Sequence, residues 1–349
     1  MTAHPILGTG VFLLGGVAAA LYLLPFRAVK GWRYETGWLV SVLAGWLVLP
    51  LAFDVCVIPD LRSILAQGGG SVFARTFGFG ALWGVGALCW ALMVRYLGVG
   101  LGLGIGAGIC AATGTLLPPI VAGNAASLVA TRGACLVLAG VAVSLVGIAF
   151  VGAAGRLKEG EMSAADKRKA VAEYDFRKGI VDALVAGFAS AGINFGLQGA
   201  PGWERAALEQ GVNPLWAGMP VLTVVLWGGV ATQLAWVGWR RRRGRRADAP
   251  VPGGEGVRAG TAWKNALLSA SVGVIGVLQF FTQKVGEPLM GEARYISFAV
   301  LMASAIFFST GVGLALGEWR GTRVRTRLVL AAGLAALVAS FALISAGSR

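Results

Sequence analysis

Charge-poor apolar runs about as long as a bilayer-crossing helix recur along the whole chain, at 4–24, 37–58, 72–94, 97–121, 133–153, 179–199, 214–239, 263–285, 294–316 and 326–346. Crossing the hydrocarbon core takes about 20 apolar residues, so ten spans use about 200 positions and leave connections too short for a soluble catalytic domain. Composition points the same way: 56% of residues are hydrophobic and only 13% are charged, where a soluble domain carries about a quarter. The chain is expected to be an all-α polytopic membrane protein with ten transmembrane helices. The first run begins at His4-Pro5 without a basic segment or an A-x-A cleavage pattern, so it reads as a span and not as a removed signal peptide. Arg95-Tyr96-Leu97-Gly98 separates the third and fourth spans, because one span cannot be about 50 residues long.

Lysine and arginine set the orientation, since positively charged loops stay in the cytoplasm. The odd-numbered connections hold 23 of the 30 basic residues. That bias puts the odd loops inside and both termini in the periplasm. The run Arg240-Arg241-Arg242-Arg243-Gly244-Arg245-Arg246 belongs to this pattern. It follows an apolar span directly, has no recognition helix or aromatic platform beside it, and reads as an anchor at anionic headgroups, with no nucleic-acid partner.

The longest charged connection, 156–178, divides the spans five and five, giving a first repeat at 1–155 and a second at 179–349. Because five is odd, the halves insert with opposite orientation, the inverted-repeat plan of many secondary transporters. Arg95-Tyr96-Leu97-Gly98 has a counterpart in Arg294-Tyr295-Ile296-Ser297, between the eighth and ninth spans, and Pro25-Phe26 has one in Asn194-Phe195. The fourth span carries Gly98, Gly100, Gly102, Gly104, Gly106 and Gly108. No strand precedes them, which argues against a dinucleotide loop. Close helix packing is the first account, and a locally unwound segment facing substrate the second.

A single histidine, His4, leaves almost no imidazole for metal binding or proton relay. Cys56, Cys89, Cys110 and Cys135 lack C-x-x-C spacing and read as small buried hydrophobes. Neither H-E-x-x-H nor G-x-S-x-G occurs, so an integral-membrane enzyme is not expected. No cofactor is implied.

Several stretches carry a family likeness: Leu24-Pro25-Phe26-Arg27-Ala28-Val29-Lys30-Gly31-Trp32, continuing into Arg33-Tyr34-Glu35-Thr36-Gly37-Trp38; Gly80-Ala81-Leu82-Trp83-Gly84-Val85-Gly86; Arg95-Tyr96-Leu97-Gly98; Gly114-Thr115-Leu116 with Pro119-Ile120; Leu278-Gln279-Phe280-Phe281; Tyr295-Ile296-Ser297; and Gly317-Glu318-Trp319. In these, and in their order, the chain resembles the L-rhamnose/proton symporter family within the drug/metabolite transporter superfamily. The resemblance implies a bacterial inner-membrane transporter of two inverted five-helix repeats that imports L-rhamnose, or a close 6-deoxyhexose, with protons. Asp54 and Asp182 stand where that pattern is apolar, and Arg294 where it is acidic. These departures keep open an exporter or exchanger of another small metabolite.

A sugar site needs hydrogen-bonding groups for hydroxyls and an aromatic face for the C–H surface, near the midplane between repeats. Gln279 with Gln283, and Asn194 with Gln198, are i, i+4 pairs inside spans, and Trp83 and Trp90 share a helix face. Tyr295 completes the substrate candidates. The amides also read as interhelical glue, and the tryptophans as bulk. Proton coupling needs a carboxylate that gains and loses its proton. Asp54 and Asp182 lie within apolar sequence, although Asp182 is also explained by a helix N-terminus and by Lys178 four residues earlier. Glu35 is a third candidate, equally readable as an interfacial salt bridge or gate. Glu318, Arg95 and Arg294 are candidate gating residues. Lys284, Glu287, Glu292 and Arg294 read most simply as a solvated loop, or as an outer gate.

Overall fold

The computed structural model describes residues 4–161, 175–242, 259–317 and 319–347, and among them all regular elements are helical. Glu318, most of the charged connection and Arg243 to Arg246 lie outside the described residues. The elements that matter here are α1 (Pro5–Leu21), α2 (Tyr34–Val57), α3 (Gly69–Trp90), α4 (Ile105–Val121), α5 (Arg132–Glu161), α6 (Phe176–Ser190), α7 (Met219–Arg242), α8 (Ala259–Gly286), α9 (Ser297–Ala315) and α10 (Val324–Gly347). Among the described residues nine helices are long and apolar enough to cross a membrane, and α4 is a shorter apolar helix.

Helical backbone continues from Gly69 to Val121, which as a straight rod would be about 80 Å long, against a hydrocarbon core of about 30 Å. The chain instead folds back. A Cβ placed on Gly106 would lie 2.7 Å from the Met93 sulfur and 3.3 Å from the Trp90 ring, although a straight helix would hold positions 90 and 106 about 24 Å apart. Gly106 therefore packs closely on α3, whereas a Cβ on Gly108 would meet nothing within 4 Å; the backbone along this stretch is helical.

Packing explains why so many large apolar side chains face outward. Ile6, Leu14, Val181, Leu184, Val185, Phe188, Leu328 and Val338 are all exposed. A water-soluble fold would bury such a population; in lipid these faces meet a solvent as apolar as themselves. Of the four cysteines, Cys110 is buried, Cys89 half-buried, and Cys56 and Cys135 are exposed. The expectation of four buried thiols fails because an apolar residue in lipid has no reason to turn inward.

Contacts between elements follow an exchange. α1 packs on α8 and α9, while α6 packs on α3 and α4; α2 packs on α8, and α7 on α3; α5 lies along α10. At two crossings the backbones touch through glycine: Gly45 of α2 lies directly against Gly273 of α8, and Gly80 of α3 against α7 next to Gly228. Any side chain there would push the helices apart. α2 is itself two-part. Its middle turn, Leu43–Val48, is a π-helix, with Leu49 N–H bonded to the Ala44 carbonyl. Pro50 follows, and having no N–H it cannot continue a regular ladder.

α6 starts at Asp175, whose Oδ1 accepts from Lys178 N at 3.0 Å. That bond holds the Asp175 carboxyl below its ordinary range. The helix continues beyond a kink as Gly192–Gln198, and a short amphipathic helix, Pro201–Glu209, buries Trp203.

Candidate functional site

A cavity of about 250 Å³ opens between α1, α2, α3, α4, α8, α9 and the α6 chain. Trp38 and Trp46 reach it from α2, Trp83 and Trp90 from α3, Phe280 from α8 and Phe298 from α9, with Tyr22, Ser41, Ser190 and Gln279 as its polar members. The aromatic wall is continuous. Trp46 and Trp83 have ring centroids 4.4 Å apart, Trp38 meets Trp46 edge-on at 6.0 Å, and Phe280 meets Trp83 edge-on at 5.3 Å. Local sequence arranges this. Trp38, Val42 and Trp46 recur every four residues on one face of α2, and Trp83 and Trp90 every seven on one face of α3.

Hydrogen bonds fix this wall from behind. Trp90 Nε1 donates to Ser190 Oγ at 2.7 Å, and Trp38 Nε1 donates to Gln233 Oε1 at 3.1 Å. Gln279 Nε2 donates to the Gly276 carbonyl at 2.7 Å, leaving its own oxygen uncommitted. None of the described residues lining the cavity is charged. Aromatic faces with a few scattered donors and acceptors fit a neutral polyol, whose C–H faces stack and whose hydroxyls pair. They do not fit a carboxylate or a phosphate, which would enter without a counter-ion.

A second polar cluster lies beyond the cavity, toward the connection between α8 and α9. Lys284 is 2% exposed and Glu287 1%, so neither belongs to a solvated loop. Lys284 Nζ pairs with Glu204 at 2.6 Å and Glu287 at 2.8 Å, and Arg294 pairs with the other oxygen of Glu204 at 3.0 Å. Two acids and two bases compensate one another, which is what permits the burial of Lys284 and Glu287 beneath half-buried Glu204 and exposed Arg294. Gln283 Nε2 adds bonds to Asn194 Oδ1 at 3.0 Å and Ser297 Oγ at 3.2 Å, and the Asn194 amide donates to the Gly114 carbonyl.

Asp54, near the end of α2, is fully buried, and neither of its carboxyl oxygens has a hydrogen-bond partner. Its polar neighbour is Thr223 of α7, whose hydroxyl is equally unpaired. Asp54 comes eight residues after Trp46, the last residue of α2 to line the cavity, and Phe53 beside it meets Trp216 at 5.3 Å and Phe281 at 5.4 Å, both edge-on.

Residues 1–348 match the family described as L-rhamnose-proton symport protein (RhaT). The L-rhamnose-proton symporters of Shigella flexneri, Escherichia coli (strain ATCC 8739) and Salmonella dublin are each 33% identical to this chain over 341 residues, covering 97% of it and 97% of their own length. The chain belongs to the L-rhamnose-proton symporter family. This is a family of transporters, not enzymes, and the chain is a multi-pass protein of the bacterial inner membrane. No solved structure matches it.

Within this symporter-family chain the sequence candidates separate into groups. Gln279, Trp83 and Trp90 line the cavity. Gln283 and Asn194 do not; these two, one from each amide pair, meet each other instead, in the cluster around Lys284. Gln198 ends the Gly192–Gln198 turn, half-buried and away from the cavity. Asp182 is half-buried on α6, outside the cavity wall. Glu35 faces Arg240 of α7 at 3.0 Å. Arg294 is an ion-pair partner of Glu204, not a free loop residue. Tyr295 sits in the 3-10 segment Glu287–Ile296 and Arg95 on the helical stretch joining α3 to α4. Sequence reasoning missed Trp38, Trp46, Ser190 and Gln233. The eight-residue spacing of Trp38 and Trp46, which puts them on one face of a helix, was the available signal; nothing local marks Ser190 or Gln233.

Proposed function

We propose that this chain imports L-rhamnose, or a closely related 6-deoxyhexose, with protons, by alternating access between two inverted five-helix repeats of the drug/metabolite transporter superfamily. The observation that carries the reading is the uncharged tryptophan-walled cavity, bounded by helices from both halves of a symporter-family chain. Its donors and acceptors suit hydroxyls, and its apolar members suit a sugar's C–H face and methyl group. Gln279, Trp83 and Trp90 are the substrate-binding residues in this reading, joined by Trp38, Trp46 and Ser190.

The packing exchange supports ten spans in two repeats, 1–155 and 179–349 joined by 156–178. Swapping each helix for the one five places on turns α1 on α8 and α9 into α6 on α3 and α4, and α2 on α8 into α7 on α3. A two-fold axis in the membrane plane generates that pattern. The loop charge bias supports periplasmic termini. Asp54 is the proton carrier in this reading, because among the described residues it is a buried carboxylate with no fixed cation, whereas Glu35 already faces Arg240. Asp54 is not among the residues lining the cavity, which implies coupling through conformation and not through shared atoms.

Uptake of labelled L-rhamnose into proteoliposomes tests this directly, with and without an inward proton gradient and with L-mannose, L-fucose and glucose as competitors. Saturable uptake that rises with the gradient and is competed best by 6-deoxyhexoses is expected. Uptake indifferent to the gradient removes the proton, and no uptake removes the substrate.

A further inference from the structure

One fully enclosed amide belongs neither to the cavity wall nor to the Lys284 cluster. Gln233 of α7 is 1% exposed, and both ends of its amide are used. Its Oε1 accepts from Trp38 Nε1 at 3.1 Å, and its Nε2 donates to the Gly84 carbonyl at 3.1 Å. It thus ties α2, α3 and α7 together immediately behind a cavity wall residue. Two turns further along α7, Arg240 meets Glu35 of α2 at 3.0 Å. Glu35 lies three residues before Trp38, and Arg240 seven after Gln233, so each pair shares one face of its helix. The two contacts are rungs between the same two helices, which come from opposite halves of the chain. At the far end of that seam, Asp54 and Thr223 hold no hydrogen bond.

We infer that Gln233 is a positioning residue for the sugar cavity and half of a two-rung latch, Trp38–Gln233 and Glu35–Arg240, that holds the cavity shut at the odd-loop end. Gln233 sets the indole of Trp38 against the ligand space, and Glu35–Arg240 holds the helix ends together beyond it. Helices stiff over two turns cannot part at one rung alone, so opening this end breaks both. The inference rests on the transport reading above, and it adds which residues join the occupied cavity to its exit.

The test uses the full-length protein in proteoliposomes and measures KM and maximal rate for L-rhamnose. Gln233→Leu leaves the Trp38 N–H without an acceptor, and a rise in KM of about tenfold is expected. Trp38→Phe, which keeps a ring and loses the donor, should match it, and the double variant should be no worse than either single one, as for two halves of one contact. Glu35→Arg and Arg240→Glu alone each set like charges together and should lower the maximal rate about tenfold with little change in KM. The double exchange should restore it. Additive effects of Gln233→Leu and Trp38→Phe, or failure of the double exchange to restore rate, overturn the latch. The exchange arm does not depend on Gln233→Leu folding well. If the parent protein moves no L-rhamnose, the transport reading has failed; if the parent transports and the variants behave like it, the latch has.

Discussion

Asp54→Asn removes one titratable proton and leaves the side-chain shape almost unchanged. Asp54 has no accessible surface and no hydrogen-bond partner, and Thr223 beside it is unpaired as well. An ionised carboxylate needs water or a cation, and stranding one in such a place costs several kcal/mol even after relaxation. A neutral acid forgoes only its hydrogen bonds, at about 1–3 kcal/mol. The two protonation states therefore require different surroundings, and that requirement is what ties proton loading to opening and closing. One proton per sugar moving down about 100 mV supplies about 2.3 kcal/mol, which at about 1.36 kcal/mol per decade sustains roughly 50-fold accumulation. Asparagine cannot release a proton, so accumulation should fall to about unity while sugar counterflow, which needs no net proton movement, persists. The assay is labelled sugar uptake into proteoliposomes under a valinomycin-set potential, with counterflow measured on the same preparation. Undiminished accumulation refutes the assignment. Loss of counterflow together with accumulation refutes it too, since the residue would then be holding the fold.

Further outcomes follow from the same geometry. Gln279→Ala should raise KM for sugar by about tenfold through a lost hydrogen bond, with unchanged expression, as read by initial uptake rates. Lys284→Met leaves Glu287, 1% exposed, without its nearest cation. It should destabilise the protein by about 3–5 kcal/mol, seen as a lower melting temperature in detergent. Adding Glu287→Gln should recover part of that loss, because Arg294 still faces Glu204. Gly80→Leu puts a large side chain into the backbone of α7, and gel filtration should show the protein failing to run as a monodisperse species.

How much of this was legible beforehand depended on whether the signal was local. Apolar run length and loop charge are local, and they mark the spans without reference to any contact. The i, i+4 spacing of Gln279 and Gln283 correctly put them on one helix, but one turn at that depth separates the cavity from the Lys284 cluster, and spacing cannot tell the two apart. Lys284 and Glu287 looked like loop residues because charge density alone suggests water. Their burial depends on Glu204, 80 positions earlier in the chain, and no window spans that distance. Trp38 and Gln233 are 195 positions apart. An isolated glutamine in an apolar helix looks the same whether it braces a cavity wall or only joins two helices. Asp54 stood out in the sequence because a carboxylate inside an apolar run is conspicuous, but that it has no partner could be read only from the packed chain.

The glycine contacts at Gly45 with Gly273 and at Gly80 beside Gly228 bear on how such a molecule moves. Interlocked side chains behave like gear teeth: to turn one helix on another they must be lifted out of their holes and reseated, and each lift is an energy barrier. Bare backbone on bare backbone has no teeth. At these two crossings the helices rest on smooth bearings, so α2 can swing on α8, and α3 on α7, with little repacking at the pivot. The larger displacements then fall at the helix ends, which is where ion pairs and aromatic rings can make and break contact. Filling either bearing with even a methyl group should seize the joint or shift its axis.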